Sequence, residues 1–272
     1  MTDPFRYEGK RVLVVGAASG MGAAVARLAG GLGAEIVGLD RAPMTEPGVT
    51  AITVDLGDRA SIDGALEQCT GTFDALFSCA GVADGTAGIE RINFIGQRHL
   101  IDRMVAEDRL TRGSAIGMIS SVAGLGWERE LPLLTDYLAT ADFDSAVAWI
   151  GARPELATYS WSKKAMCAYV ARQAYPFLRR GTRINSILPG PTDTPLARAN
   201  ADVWLGFAQD YRDAVGIAPS TPEEQALPLL YLCSAAASYV NGVNIVTDAG
   251  YVSAGLTGAW DAPFIKTMLG LG

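Results

Sequence analysis

RVLVVGAASGMGAAVARLAG, residues 11–30, is the stretch that decides the fold. Arg11 to Val15 is a short apolar run that suits a strand. Gly16, Gly20 and Gly22 then make a G-x-x-x-G-x-G turn, and small and apolar residues at helical spacing follow. Glycines between a strand and a helix let the backbone come close to a pyrophosphate. The helix start adds free N–H groups and the positive end of its dipole. The same glycines also suit a tight turn with a closely packed helix. The next segment, AEIVGLD (34–40), reads as a second strand closing on Asp40, 18 residues past Gly22. A carboxylate there can accept hydrogen bonds from both ribose hydroxyls of an adenosine and would repel a 2′-phosphate, which favours NAD over NADP. Arg41 beside it could pair with that phosphate, and Asp40 could also be a solvated turn residue.

Outward from this unit the pattern repeats. TAITVDL (50–56), FDALFSCAG (73–81), SAIGMISS (114–121), TRINSILPG (182–190) and VNIVTDAG (243–250) read as further strands. Between them lie helical patterns at 59–69, announced by Asp58 as a cap, at 89–106, at 159–178, and at 221–235 behind Thr-Pro-Glu-Glu. Strands that are continuous apolar runs alternating with helices indicate a sheet covered on both faces. The expected fold is α/β: a single-domain, Rossmann-like, doubly wound parallel sheet of about seven strands spanning 1–272. Two segments break the alternation. Residues 125–157 carry two helical patterns, LPLLTDYLA and DFDSAVAWIG, and are expected to form an inserted helical hairpin. The segment 192–220 is long, mixed and rich in Ala and Asp, as lids and substrate loops are.

Composition narrows the function. With 272 residues, 49 % hydrophobic and 19 % charged, the chain can bury a large core. A net charge of −7 disfavours a general nucleic-acid binder. A lone His99 excludes multi-histidine metal sites and makes a Ser-His-Asp hydrolase a poor fit; it reads as structural. Cys69, Cys79, Cys167 and Cys233 have no metal-like spacing and read as reduced thiols, so no metal is expected. MTDPFRYEGKR has no apolar signal core, and the uncharged stretch 225–247 contains Pro228 and two Asn. A cytoplasmic protein without a membrane span is expected. The 31 glycines follow no collagen period and form no linker, so they serve particular backbone positions.

Tyr159 and Lys163 form Y-x-x-x-K at a helix start, which puts phenol and ammonium on one helical face. A nearby ammonium favours phenolate and lowers a phenol pKa of about 10 towards a useful acid/base range. An ordinary amphipathic pair has the same spacing. A hydroxyl of Ser120 or Ser121, at the end of strand five, could polarise a carbonyl or merely cap the strand. All strand C-termini of such a sheet open on one edge, so the glycine turn, Ser121 and Tyr159 can converge. Asp55, ending strand three beside Leu56, could bond an adenine amino group or act as a cap.

Together these residues resemble the short-chain dehydrogenase/reductase family over Lys10 to Gly250. VGAASGMG matches its TGxxxGxG, SCAG its NNAG and LPGPTDT its PGxxxT segment, and the chain adds LD, VDL, INFIG, ISSVAG and YSWSK in order. The resemblance implies roles residue by residue. Tyr159 would be the general acid/base, and Lys163 would lower its pKa and hold the nicotinamide ribose. Ser121, rather than Ser120, would orient the substrate oxygen, and Asn93 would help hold a proton-relay water. Gly16, Ser19, Gly20, Met21, Gly22, Asp40, Arg41, Asp55, Leu56, Ala80 and Gly81 would cradle the adenosine and pyrophosphate side. Pro189, Gly190, Thr192 and Thr194 would meet the carboxamide end. The reaction implied is hydride transfer between nicotinamide and an alcohol carbon.

Val15 for the family's usual Thr and Ser78-Cys79 for its two Asn are departures in the turn scaffold. A larger one is the separation of Ser121 and Tyr159, 38 residues, well beyond most members. That spacing and the ending AASYVNGVNIVTDAG are similar to the subgroup of bacterial 3α-hydroxysteroid dehydrogenase/carbonyl reductase and coniferyl-alcohol dehydrogenases. The expected function is therefore NAD-dependent interconversion of a secondary or benzylic-type alcohol and a carbonyl, on an apolar cyclic or aromatic substrate such as a hydroxysteroid, terpenoid or aryl alcohol. The alternatives are an NADP-linked carbonyl reductase and a non-catalytic nucleotide-binding sensor. The family's habit implies a homodimer or homotetramer, with the hairpin altering the usual tetramer contact. Trp127, Tyr137, Phe143 and Trp149 could line a pocket or, more in keeping with a hairpin, pack it on itself. Trp204, Phe207 and Tyr211 at i, i+3, i+7 would form one helix face over substrate or core. In residues 251–272, Trp260, Phe264 and Met268 could close a pocket, its own or a neighbour's, or the segment could be a loose tail.

Overall fold

In the computed structural model, which describes residues 3–270, seven strands form one parallel sheet in the order β3-β2-β1-β4-β5-β6-β7. The strands are β1 (Arg11–Val15), β2 (Glu35–Asp40), β3 (Val49–Thr53), β4 (Phe73–Ser78), β5 (Leu110–Ile119), β6 (Arg183–Pro189) and β7 (Asn244–Thr247). The helices of the alternation are α1 (Gly20–Gly31), α2 (Arg59–Gln68) and α3 (Gly96–Ala106). The hairpin supplies α4 (Leu131–Leu138) and α5 (Phe143–Gly151), and α6 (Tyr159–Arg180) follows. Beyond β6 come α7 (Pro195–Arg198), α8 (Ala201–Trp204), α9 (Gln209–Val215) and α10 (Pro222–Cys233). Two more, α11 (Tyr251–Thr257) and α12 (Pro263–Leu269), follow β7.

The order reverses between β1 and β4, so the crevice at their C-terminal ends is the place where such a sheet takes a ligand. One face of the sheet buries Leu13, Leu76 and Ile116 under α2, α3, α6 and the hairpin. The other buries Val12, Phe77 and Ile119 under α1 and α10. Local signals set the helix starts. The Asp58 carboxylate accepts the Ala60 N–H at 3.0 Å, and Thr221 with Glu224 closes a capping box in front of α10. No helix among the described residues is long and apolar enough to cross a membrane.

Several expectations need correction. Strand five begins at Leu110, because Phe73 pairs with Leu110 before a register shift restores Ala75 to Ala115. Its polar first residues hid it from hydrophobic patterning. Strand three stops pairing at Thr53, so Asp55 lies in the turn beyond it. The helix expected at 89–106 contains a π turn, Arg91–Ile95, before α3. The side-chain amide of Gln97 donates at 3.0 Å to the carbonyls of Ile92 and Asn93, which that turn leaves available. The 125–157 hairpin is present, and Tyr137, Phe143 and Trp149 pack on one another or on neighbouring helices. Tyr137 stacks on Trp149 with centroids 4.6 Å apart, and Phe143 lies edge-on to His99. Trp204, Phe207 and Tyr211 do not share one helix: 205–208 is a turn, with Ala208 at φ 56° between α8 and α9. The tail is ordered through α12, with Ala262 and Ile265 buried against Val122 and Val252. Residues 271–272 lie outside the described residues.

Candidate active site

A cavity of about 490 Å³ opens at the switch point. At one end stands the glycine turn. A Cβ on Gly22 would lie 1.9 Å from the Gly16 carbonyl oxygen, and one on Gly16 would lie 2.6 Å from the Ala80 nitrogen. Turn, helix and the end of β4 are therefore in backbone contact, and only glycine fits at these two positions. Ser19 makes no side-chain cap on α1, which leaves the first N–H groups of that helix free towards the cavity.

Asp40 is locked in place at the end of β2. One carboxylate oxygen accepts the Ala18 N–H and the other the Ala42 N–H, both at 2.9 Å. Arg41 is exposed on the same wall. Asp55 accepts the Gly57 N–H at 2.8 Å, while Asp58 caps α2. The capping role open to Asp55 is thus a turn cap, and Asp55 still faces the cavity beside Leu56. Ser19, Gly20, Met21, Ala80 and Gly81 line this half; Pro189, Gly190, Thr192 and Thr194 line the wall beyond β6. Thr192 bonds the Gly190 carbonyl at 3.0 Å, and Thr194 caps α7 through the Ala197 N–H at 3.1 Å.

At the other end, α6 begins with Tyr159 behind its cap Thr158, and Lys163 follows one turn on. The Lys163 ammonium is buried, donates to the Ile119 carbonyl at 2.8 Å and sits 5.4 Å from the centroid of the Tyr159 ring. Burial drives its pKa down to about 8, partly offset by Cys167 and Cys79. Burial pushes the Tyr159 phenol up to about 12. The neighbouring Ser121 hydroxyl pulls it back and the Asp84 carboxylate pushes it further up. The depression expected from Lys163 is not what sets the phenol here: burial favours the neutral form of both groups.

The two serines separate clearly. Ser120 is buried and its hydroxyl donates to the Lys163 carbonyl at 3.0 Å. Ser121 lies on the cavity wall beside Tyr159, and its oxygen accepts the Ala123 N–H at 3.2 Å. Gly22 and Asn93 are the two anticipated residues that do not reach the wall. Asn93 is fully buried. Its side chain clips Val82 through both backbone groups, at 2.8 and 2.9 Å, and so fixes the turn carrying Gly81.

Beyond Tyr159 the wall turns apolar, with Val122, Val203, Trp204, Phe207 and Phe264. The Trp204 ring lies against the Tyr159 ring, with centroids 4.9 Å apart. The hairpin aromatics are not part of this wall, whereas Tyr211 packs behind it on Tyr251 and Trp260. Phe264 lines the wall, as one of the two roles open to the C-terminal segment, whereas sequence reading missed Val203 and Asp84. Asp84 sits in an irregular loop after β4 and carries no periodic signal. Among the described residues no group of three His, Cys, Asp or Glu side chains is placed to hold a metal ion. His99 bonds Asp63 at 2.8 Å, away from the cavity.

Known proteins are similar to this chain in sequence and fold. Residues 12–148 match the model of the NAD dependent epimerase/dehydratase family, and residues 138–252 match that of enoyl-(acyl carrier protein) reductase. The chain is 31 % identical over 254 residues to coniferyl-alcohol dehydrogenase of Pseudomonas sp., covering 90 % of this chain and 97 % of that one. It is 30 % identical to 3-alpha-hydroxysteroid dehydrogenase/carbonyl reductase of Comamonas testosteroni, with 88 % and 95 % covered. Among solved structures, the 3-alpha-hydroxysteroid dehydrogenase of Pseudomonas sp. B-0831 complexed with NADH superposes with a TM-score of 0.73 at 27 % identity, covering 92 % and 98 % of the two chains.

Proposed function

The chain belongs to the short-chain dehydrogenase/reductase family, and from that premise we propose that it is an NAD-dependent dehydrogenase. It would interconvert a secondary or benzylic-type alcohol and its carbonyl on an apolar cyclic or aromatic substrate. One observation carries this reading. Ser121, Tyr159 and Lys163 share a single cavity with the glycine turn and Asp40, and the open end of that cavity is apolar and aromatic. The names of the relatives, which act on coniferyl alcohol and on hydroxysteroids, support the substrate class.

The residues present suit a nicotinamide dinucleotide. Gly16 and Gly20 stand on the cavity wall, the close backbone packing of Gly16 and Gly22 gives the turn its shape, and the start of α1 offers its N–H groups to a pyrophosphate. Each Asp40 oxygen accepts one backbone N–H and keeps a lone pair for a ribose hydroxyl. Lys163 would hold the other ribose, and Thr192 and Thr194 the carboxamide. When bound, the cofactor supplies or accepts the hydride.

The chain's own residues handle the proton. The Ser121 hydroxyl donates to the substrate oxygen and holds it beside Tyr159. In oxidation the Tyr159 phenolate takes the alcohol proton; in reduction the phenol returns it to the carbonyl oxygen. Lys163 steadies the phenolate, and the Trp204 ring shields the pair from water. Asn93 acts behind them by fixing the 80–82 turn, and remains our candidate for holding a relay water.

The pH dependence follows in sign. Tyr159, pushed up to about 12, is almost wholly phenol at neutral pH. Reduction therefore has its acid throughout the neutral range, and oxidation gains phenolate as pH rises. Lys163, with its pKa lowered to about 8, has lost half its charge by about that pH. Initial rates should show oxidation climbing with pH and flattening above about 8, with reduction gaining nothing. Oxidation that slows as pH rises through the neutral range contradicts this assignment.

The NADP-linked alternative rests on Arg41, which shares the wall with Asp40. A cofactor comparison decides it. The wild type should prefer NAD, and Asp40→Ala should cut that preference about tenfold or more, since a hydrogen bond to a charged group contributes roughly 1.5–3 kcal/mol. A wild type that already prefers NADP refutes the cofactor assignment.

A further inference from the structure

Asp84 belongs to the active cavity and, beyond its push on the Tyr159 phenol, has no role in the chemistry described above. Its carboxylate accepts the backbone N–H of Tyr159 at 2.7 Å, which ties the loop after β4 to the first residue of α6. It lines the cavity and is exposed. Only one of its oxygens has a protein partner, and no cation pairs with it among the described residues.

The charges of the cavity are unevenly spread. Asp40, Arg41 and Asp55 stand at the glycine-turn end. Lys163 is buried with its ammonium on the Ile119 carbonyl. At the open end, where the wall is Val122, Val203, Trp204, Phe207 and Phe264, Asp84 is the charged side chain. A substrate entering there displaces water from around that carboxylate, and a like charge held nearby in an apolar cleft is penalised more than it would be in bulk water.

We propose that Asp84 is a specificity-determining residue that sorts alcohols by charge, rejecting those that carry a carboxylate or phosphate. The inference rests on the reading of the cavity as an alcohol site and adds the electrostatic character of its substrate. Asp84 is partly screened by solvent, so the expected discrimination is about tenfold rather than absolute.

A matched pair of secondary benzylic alcohols tests it: 4-(1-hydroxyethyl)benzoate and its methyl ester, each assayed with NAD⁺ at low salt. The wild type should favour the ester in kcat/KM. Asp84→Asn keeps an oxygen for the Tyr159 N–H and should narrow the ester-to-acid ratio about tenfold. Asp84→Glu keeps the charge and should hold the ratio near that of the wild type. A ratio unmoved by Asp84→Asn, or narrowed as much by Asp84→Glu, overturns the inference and leaves the dehydrogenase reading standing. No NADH from either alcohol with any of the three proteins overturns the alcohol reading, and the inference with it.

Discussion

Replacing Tyr159 by Phe should lower alcohol oxidation by roughly a thousandfold, the range a positioned general acid/base contributes. NAD binding should stay within a few-fold of the wild type. The ring is retained, so its contact with Trp204 and its place over Lys163 survive. What disappears is the one titratable oxygen beside Ser121 on the cavity wall. Ser121 cannot substitute, because its hydroxyl pKa lies far above any working pH. Ser120 is committed to the Lys163 carbonyl. The pairing of lost turnover with retained cofactor affinity separates a chemical role from a structural one. Stopped-flow turnover alongside a fluorescence titration of NADH reads both. Turnover that survives the substitution would remove Tyr159 from the acid/base role.

The second large effect belongs to Gly22. An alanine there would put Cβ 1.9 Å from the Gly16 oxygen and 2.8 Å from the Gly16 carbonyl carbon. Both are backbone atoms, so no rotamer change relieves the clash and the turn itself has to open. Overpacking of this kind costs roughly 3 kcal/mol, which for a chain of this size corresponds to a Tm lower by about 6–12 °C. Gly22→Ala should also weaken NAD binding more than tenfold, since the turn would lose its shape. Gly64 is the control. It lies inside α2, and a Cβ added there would meet nothing within 4 Å, so Gly64→Ala should leave stability unchanged or raise it by up to about 1 kcal/mol. Thermal scans of the two variants decide between a general intolerance of change and a specific backbone contact. A Gly22→Ala protein that melts with the wild type refutes the contact.

These two residues also show where the sequence is readable. Gly22 and Tyr159 stand in short-range patterns, a strand–turn–helix junction and a one-turn helical spacing, whose chemistry follows from a handful of neighbours. The alternation of strands and helices was equally legible, since β1, β2 and β4 are mostly buried apolar runs. What escaped depends on contacts far along the chain. Asp84 meets Tyr159 across 75 residues of sequence, through a loop whose course no periodicity reveals. The π turn at Arg91–Ile95 needs the Gln97 amide to serve the spare carbonyls. The break at 205–208 looks like continuous helix in the i, i+3, i+7 pattern of Trp204, Phe207 and Tyr211, and only the fold shows the turn. The electrostatics of the Tyr159–Lys163 pair changed most. Spacing alone implied a depressed phenol, whereas burial raises Tyr159 and depresses Lys163.

The central claim is that this cavity oxidises apolar cyclic or aromatic alcohols with NAD. The measurement that bears on it most directly is the initial rate of NADH formation by the purified protein over a panel of steroid, terpenoid and aryl alcohols, with NADP⁺ in parallel and Tyr159→Phe as the reference. NADH is expected from cyclic or aromatic members of the panel, with slower turnover on NADP⁺ and none above background from the variant. Tight binding of NADH with no turnover of any alcohol in the panel would contradict the claim, and would make the chain a nucleotide-binding sensor instead.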